Sequence, residues 1–367
     1  MSKEIVMTTR SKPNIFSSLK WSPSTLGGDL GAAVTVALVS IPEGMAYALV
    51  AGVDPIYGLY TGMLTTIVAS LTASTSLLVV TLTNALALVA GEQLVGLSGA
   101  ADPLRALFTL TLMVGALMFA LGALRLGSVF RFVSREVMSG FVFVTTLLIV
   151  LGQYKDLVGY ASPLETNKLF KAVDITLHAG SWNVPAALLG GGAILVLLLL
   201  KRSPVRKWAD ILIIILATLF VVLSGWQEVE LVGDISAVPS GLAALPTPVL
   251  PDLSLVPALL GGTVAAVVVG LAESSGAGAA FPNPDGSRSD MSGDFLGQGL
   301  GNLAGSFFQA LPAGGSLSRT GLNASGGGRS RWAGVYAGLL IAVVLVLFGR
   351  YAELIPMTGL ADFLHRF

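Results

Sequence analysis

Apolar runs long enough to cross a bilayer as helices recur along this whole chain, and that recurrence excludes most folds at once. Roughly 30 Å of hydrocarbon needs about 20 helical residues. Inside it every backbone N–H and C=O has to find a partner within the protein, so helices are the natural spanning element. The runs fall at 28–51, 56–74, 81–97, 103–124, 135–153, 184–200, 209–226, 255–281, 294–312, 317–328 and 332–350. Charge content agrees: 11% of residues are charged and 54% are hydrophobic, whereas soluble domains carry about 25% charged residues. The fold class read from this is an all-α membrane protein.

The 21 Lys and Arg balance the 21 Asp and Glu, so no basic footprint for nucleic acid exists and charge placement carries the information. Cysteine is absent, which removes disulfides, thiolate metal sites and cysteine nucleophiles. Histidine is limited to His178 and His365. No GxxxxGK[ST], HExxH or GxSxG motif occurs, and no paired Asp cluster suggests a metal. An enzyme, a cofactor and a metal centre are therefore not expected.

Lys and Arg also give the orientation. Lys3, Arg10, Lys12 and Lys20, the turn at Arg125 and Arg131, the stretch KRSPVRK at 201–207, and Arg329 with Arg331 are placed in the cytoplasm. The loop between Gly225 and Asp252 has no Lys or Arg and is placed outside, after seven crossings from a cytoplasmic N-terminus. No cleaved signal peptide is read before the first apolar run near Leu26. The stretch 155–180, with Lys155, Asp156, Glu165, Lys168 and Lys171, reads as an amphipathic interfacial connector.

Two runs are short and open with Ser, Thr and Asn, at Thr81 to Asn84 and at Ser316 to Asn323. These are N-cap residue types, and a helix that starts within the membrane requires its end to face protein or a water-filled cavity. Glu43 in the first run and Glu273 in the eighth each precede one of these short helices by about 40 residues. Two repeats, the second inverted, with broken helices meeting near the midplane, would give this pattern and point to a transporter.

Arg319 stands at the start of the second short helix, in LPAGGSLSRTGLN. A lone cation in hydrocarbon costs at least about 2.5 kcal/mol, so it faces a cavity, snorkels, or pairs with a glutamate. A helix N-terminus offers free N–H groups and about half a positive charge, so Ser318, Arg319 and Thr320 together favour an anion. Thr83 and Asn84, with Thr81, supply donors at the first short helix, or simply hold helices together. Tyr47 follows Glu43 by four positions and so shares its face, as packing or as lining. Glu43 and Glu273 either lock helices or hold a coupling cation, since a carboxylate in an apolar span pairs, binds a cation or takes a proton.

Five stretches resemble the SulP family of sulfate permeases and related anion exchangers: IPEGMAYALVAGVDPIYGLY (41–60), VMSGF…LGQYKDLVG (137–159), VGDISAVPSGL (232–242), LAESSG (271–276) and GQGLGNLAGSFFQALPAGGSLSRTGLNASGGGRS (297–330). The resemblance implies a 7+7 inverted-repeat fold with half-helices at segments 3 and 10, in which a core domain moves like an elevator against a gate domain. On that pattern 1–25 is a cytoplasmic tail, 26–130 holds core segments 1–4, 131–230 gate segments 5–7, 231–254 an extracytoplasmic loop, 255–350 core segments 8–11, and 351–367 the start of segment 12.

The family's anion site maps to Thr83 and Asn84 on one side and Ser318 and Arg319 on the other; Thr320 and Tyr47 are added as substrate-binding candidates from the helix end and the four-residue spacing. Glu43 falls at the family's first-segment polar position, Gln in many members and Glu in others, and Glu273 falls where the family has an acidic residue linked to cation coupling. The implied function is secondary active transport of a small anion, sulfate or a similar oxyanion or bicarbonate, coupled to a proton or to sodium. The implied setting is the inner (plasma) membrane, with a homodimer in the full-length form. Two departures stand out. Thr81-Leu82 occupies the place where relatives carry Gly-Pro, so a differently shaped break is expected there. The chain stops at IPMTGLADFLHRF, which reads as a second repeat cut short before the last gate segments and the STAS domain. The competing readings are a nucleobase-type transporter of the same architecture, which should not need Arg319, and a non-transporting remnant.

Overall fold

The computed structural model describes residues 21–97, 102–127, 135–164, 167–204, 209–226, 228–287 and 289–358. Expectations at Lys3, Arg10, Lys12, Lys20, Arg131, Glu165, Arg206, Lys207 and from 359 onward lie outside those residues.

The first four helices are α1 (Pro23–Val50), α2 (Pro55–Thr72), α3 (Asn84–Gly96) and α4 (Pro103–Ala123). Then come α5 (Arg135–Val158), the short α6 (Lys168–Leu177), α7 (Val184–Lys201), α8 (Ala209–Ser224) and a single turn, α9 (Val232–Ile235). The last four are α10 (Val256–Ala280), α11 (Met291–Ser306), α12 (Leu317–Ser325) and α13 (Trp332–Phe348). Strands β1 (Val80–Thr81) and β2 (Gly314–Gly315) precede the two half-helices α3 and α12. Several starts are written in the chain as a capping side chain with proline in the first turn: Ser22 before Pro23, Asp102 before Pro103, Asn183 before Pro185. Proline is tolerated there because its missing N–H would be unpaired anyway.

Helices α1–α4 and α10–α13 pack into one body, with α11 between α2 and α4 and α13 against α1 and α2. The contacts come in matched pairs: α1 meets α13 as α10 meets α4, and α1 meets α12 as α10 meets α3. That is the relation expected of two repeats, α1–α4 and α10–α13. Helices α5–α8 pack among themselves and reach the larger body through α3 against α5 and α1 against α8. An ion pair between Lys168 and Glu92, 3.8 Å, spans the same boundary from α6 to α3.

A two-residue antiparallel pair joins the repeats, Val80 opposite Gly315 and Thr81 opposite Gly314. Strand edges inside a membrane protein need partners, and helices on both sides supply them. Thr65 and Thr66 of α2 both donate to the Val80 carbonyl at 2.9 Å. From α11, Asn302 accepts from Ala313 N at 2.7 Å and donates to Ala313 O at 2.8 Å, while Gln298 accepts from Gly315 N at 3.1 Å. Glycine is required at 315 because a Cβ there would lie 2.5 Å from Ser274 Cβ on α10.

Among the described residues five helices are long and apolar enough to cross a membrane on length and composition: Pro23–Val50, Pro103–Ala123, Val184–Lys201, Leu253–Ala280 and Trp332–Leu354. The other predicted spans are shorter or more polar. Buried between neighbours, α11 tolerates Gln298 and Asn302 because both are hydrogen-bonded. Boundaries move accordingly. The run 294–312 is helical only as Met291–Ser306: Gln309 takes a left-handed φ of 62° and Pro312 cannot donate to a helix. The third run begins as strand and turns helical only at Asn84, so the break at Thr81-Leu82 is extended. The interfacial stretch divides, because α5 continues to Val158 and only Lys168–Leu177 is the amphipathic helix.

Candidate functional site

The half-helices begin where the strands end. Ser316 caps α12 through its hydroxyl, which accepts from Arg319 N at 3.4 Å, and Thr83 caps α3 by accepting from Leu86 N at 3.3 Å. Both helices therefore point their N-terminal ends, with their positive dipole ends, at the same junction.

Arg319 is 1% exposed. Its Nη1 donates to Leu82 O at 3.1 Å, immediately before the α3 cap. Its Nη2 lies 2.9 Å from Glu43 Oε2, and its guanidinium carbon sits 5.7 Å from the centre of the Tyr47 ring. Tyr47 donates its phenolic hydrogen to Glu43 Oε1 at 2.9 Å. Four-residue spacing puts Glu43 and Tyr47 on one face of α1. Pro42 precedes them within the helix and removes one backbone donor.

Arg319 Nε, Arg319 Nη2 and Glu43 Oε2 are buried without a hydrogen-bond partner. The ions attract one another, but their N–H and oxygen directions are not aligned. Each buried polar atom left so costs about 1–3 kcal/mol, and a buried ion pair adds little net stability even when well made.

On the other side, Thr83 donates to Glu273 Oε2 at 2.8 Å. Glu273 is close enough to Arg319 and to Tyr47 to interact with both electrostatically. Each glutamate thus reaches the half-helix of the opposite repeat: Glu43 from α1 to α12, Glu273 from α10 to α3.

Glu43, Tyr47, Thr83, Glu273 and Arg319 are brought together. Asn84 and Ser318 are partly exposed in the first turns of their helices, and Asn84 Oδ1 accepts from Ala85 N at 2.7 Å. Thr320 is turned away, accepting from Val79 N at 3.1 Å, so its hydroxyl serves the strand junction. Sequence reasoning missed Gln298, Asn302, Thr65 and Thr66. For the first two, a polar residue every fourth position on an otherwise Gly-rich helix was the available signal. Two cavities lie elsewhere: one of about 310 Å³ lined by Asp156, Glu228 and Glu230, and an apolar one of about 460 Å³ between α7 and α8.

Residues 26–364 match the model of the sulfate permease family. "Probable sulfate transporter 4.2" of Arabidopsis thaliana is 31% identical over 91% of this chain and 50% of its own length. Human solute carrier family 26 member 6 is 28% identical over 91% of this chain and 47% of its own. The chain spans about half the length of these curated relatives. Among solved structures, the transmembrane domain of the cyanobacterial bicarbonate transporter BicA superposes with a TM-score of 0.81 at 22% identity, covering 95% of this chain and 89% of that one. The murine anion transporter Slc26a9 in its inward-facing state gives 0.85 at 19%, covering 99% and 64%. The fold is the inverted-repeat transporter fold of these proteins, with half-helices at its third and tenth segments. A multi-pass membrane protein with this match over nearly all its length belongs to the sulfate permease family.

Proposed function

We propose that this chain moves a small inorganic anion across the membrane, sulfate or a similar oxyanion or bicarbonate. The observation that carries the reading is Arg319, a guanidinium 1% exposed and with an unpartnered Nε, at the meeting point of two helix N-termini. A preorganised cation with adjacent amides replaces the water shell of an anion, and no such device is needed for a neutral nucleobase. Thr83, Asn84 and Ser318 supply further contacts, and the Tyr47 ring lines the site beside the guanidinium. Thr320 contributes through its place in the first turn, not through its side chain.

The transport step is an elevator movement of α1–α4 and α10–α13 against α5–α8, which is supported by the limited contact between the two groups. Glu43 and Glu273 carry the coupling proton, because carboxylates this close to the anion site are the groups whose charge an incoming anion most opposes. The protein acts in the inner (plasma) membrane with its N-terminus in the cytoplasm, as a homodimer in its full-length form.

Uptake of radiolabelled sulfate and of labelled bicarbonate into proteoliposomes tests the reading. Arg319→Ala is expected to abolish saturable uptake while the purified protein keeps its elution volume and helical content. Saturable uptake at the wild-type level in that variant would overturn the assignment.

A further inference from the structure

Glu43 meets Arg319, the cation on which the proposed anion site turns. Its two oxygens bridge the site, one 2.9 Å from Arg319 Nη2 and the other accepting from the Tyr47 hydroxyl at 2.9 Å. We propose that Glu43 is a tethered competitor, a built-in carboxylate that occupies Arg319 when the site is unloaded and has to be displaced for an anion to bind. This rests on reading Arg319 as the anion site, and it adds a role for Glu43 that a coupling function alone does not require.

Among the described residues, the other buried charges make the contrast. Asp29, 1% exposed, accepts from Arg329 N at 2.7 Å, Ser330 N at 3.0 Å and Ser330 Oγ at 2.6 Å. Asp294, 3% exposed, accepts from Thr75 N at 2.6 Å and Thr75 Oγ1 at 2.7 Å. Arg331, 4% exposed, donates to the carbonyls of Ser70, Ala73 and Ser74 at the end of α2. These groups hold the structure, and their hydrogen-bonding capacity is used. In the Glu43–Arg319 pair, by contrast, Nε, Nη2 and Oε2 have no hydrogen-bond partner. Buried polar atoms are nearly always paired in native proteins, and an exception calls for an explanation such as an absent ion. A free oxyanion, unconstrained by a side-chain tether, can turn to meet Nη2 and Nε together, as Arg–oxyanion pairs commonly do.

Two features let the carboxylate leave. Pro42, next to it, has no N–H to give the carbonyl one turn back, so α1 is adjustable at this turn. The Tyr47 hydroxyl remains as a partner after Arg319 is surrendered. Glu273, at the matching place in the second repeat, bonds to the Thr83 hydroxyl and blocks no cation, so the two glutamates are not equivalent. A site closed for about nine-tenths of the time weakens apparent affinity about tenfold.

The test is binding of radiolabelled sulfate and bicarbonate to purified protein, with melting temperature followed in sodium sulfate against sodium gluconate of equal ionic strength. Glu43→Gln is expected to tighten apparent affinity at least about tenfold and to enlarge the sulfate-dependent rise in melting temperature. Glu43→Asp, which keeps the charge but withdraws it by one methylene, is expected to tighten affinity as well. Unchanged or weaker binding in both variants, together with loss of binding in Arg319→Ala, overturns the competitor and leaves the anion site standing. Wild-type binding in Arg319→Ala overturns both. If Glu43→Gln proves too unstable to purify, Glu43→Asp and the melting shift decide alone.

Discussion

Thr83 donates its hydroxyl hydrogen to Glu273 of the opposite repeat at 2.8 Å while accepting from its own helix at Leu86 N. One side chain therefore caps α3 and holds the carboxylate. Thr83→Val, similar in shape, removes both functions and is expected to destabilise the protein by about 1–2 kcal/mol, the range for a lost N-cap, and to reduce uptake. Thr83→Ser keeps the hydroxyl and should behave nearly as wild type. Equal thermal unfolding and uptake for the Val and Ser variants would show that the hydroxyl does neither job.

Gly315 is held by its neighbours, since a Cβ there meets Ser274 Cβ at 2.5 Å and Ser274 Cα at 2.7 Å. Gly315→Ala has to push α10 from the strand junction, which costs about 1–3 kcal/mol as overpacking does. A Cβ added at Gly191 on α7 meets nothing within 4 Å, so Gly191→Ala is expected to be neutral or stabilising by up to about 1 kcal/mol through helix propensity. Unfolding in mild detergent compares the two, and a Gly315→Ala protein as stable as wild type refutes the tight junction.

Asn302 satisfies both backbone groups of Ala313. Asn302→Ala leaves a buried N–H and a buried C=O without partners, each costing about 1–3 kcal/mol. Asn302→Asp keeps the acceptor and loses the donor. The expected order of thermal stability is wild type above both variants, and Asn302→Ala at the wild-type value would mean that other groups take over the strand.

Much of this was legible in the chain. Arg319, Glu43 and Glu273 stand out as lone charges in apolar runs, and the Ser, Thr and Asn ahead of two short runs mark half-helices that begin at Asn84 and Leu317. The four-residue step from Glu43 to Tyr47 anticipates their hydrogen bond. The strand pair was not legible, because two residues carry no periodicity and Val80 and Gly315 meet only through the fold. Composition also gives no sign that Arg319 takes Glu43 and not Glu273 as its ionic partner. The early end of α11 was hidden for a different reason: Phe307, Phe308, Ala310 and Leu311 continue the apolar run, although Gln309 has already left the helical region.

Lys168 of α6 and Glu92 of α3 provide a test of relative movement between the two helix groups. Their 3.8 Å contact crosses the boundary, with side-chain exposures of 32% and 63%. A pair this exposed contributes about 0–1 kcal/mol and is screened by salt. If α1–α4 and α10–α13 slide against α5–α8 during each cycle, the pair breaks on the way, and Glu92→Gln or Lys168→Gln removes its share of the barrier. The uptake rate then rises up to about fivefold, the equivalent of about 1 kcal/mol, with anion affinity unchanged. In high salt the variants and wild type converge. Burial holds the Lys168 ammonium below the usual lysine range, so the wild-type pair weakens as pH rises through that lowered value, and the difference in rate narrows at alkaline pH. A rate that matches wild type in low salt at neutral pH places the moving boundary elsewhere, whereas a changed affinity ties the pair to the anion site itself.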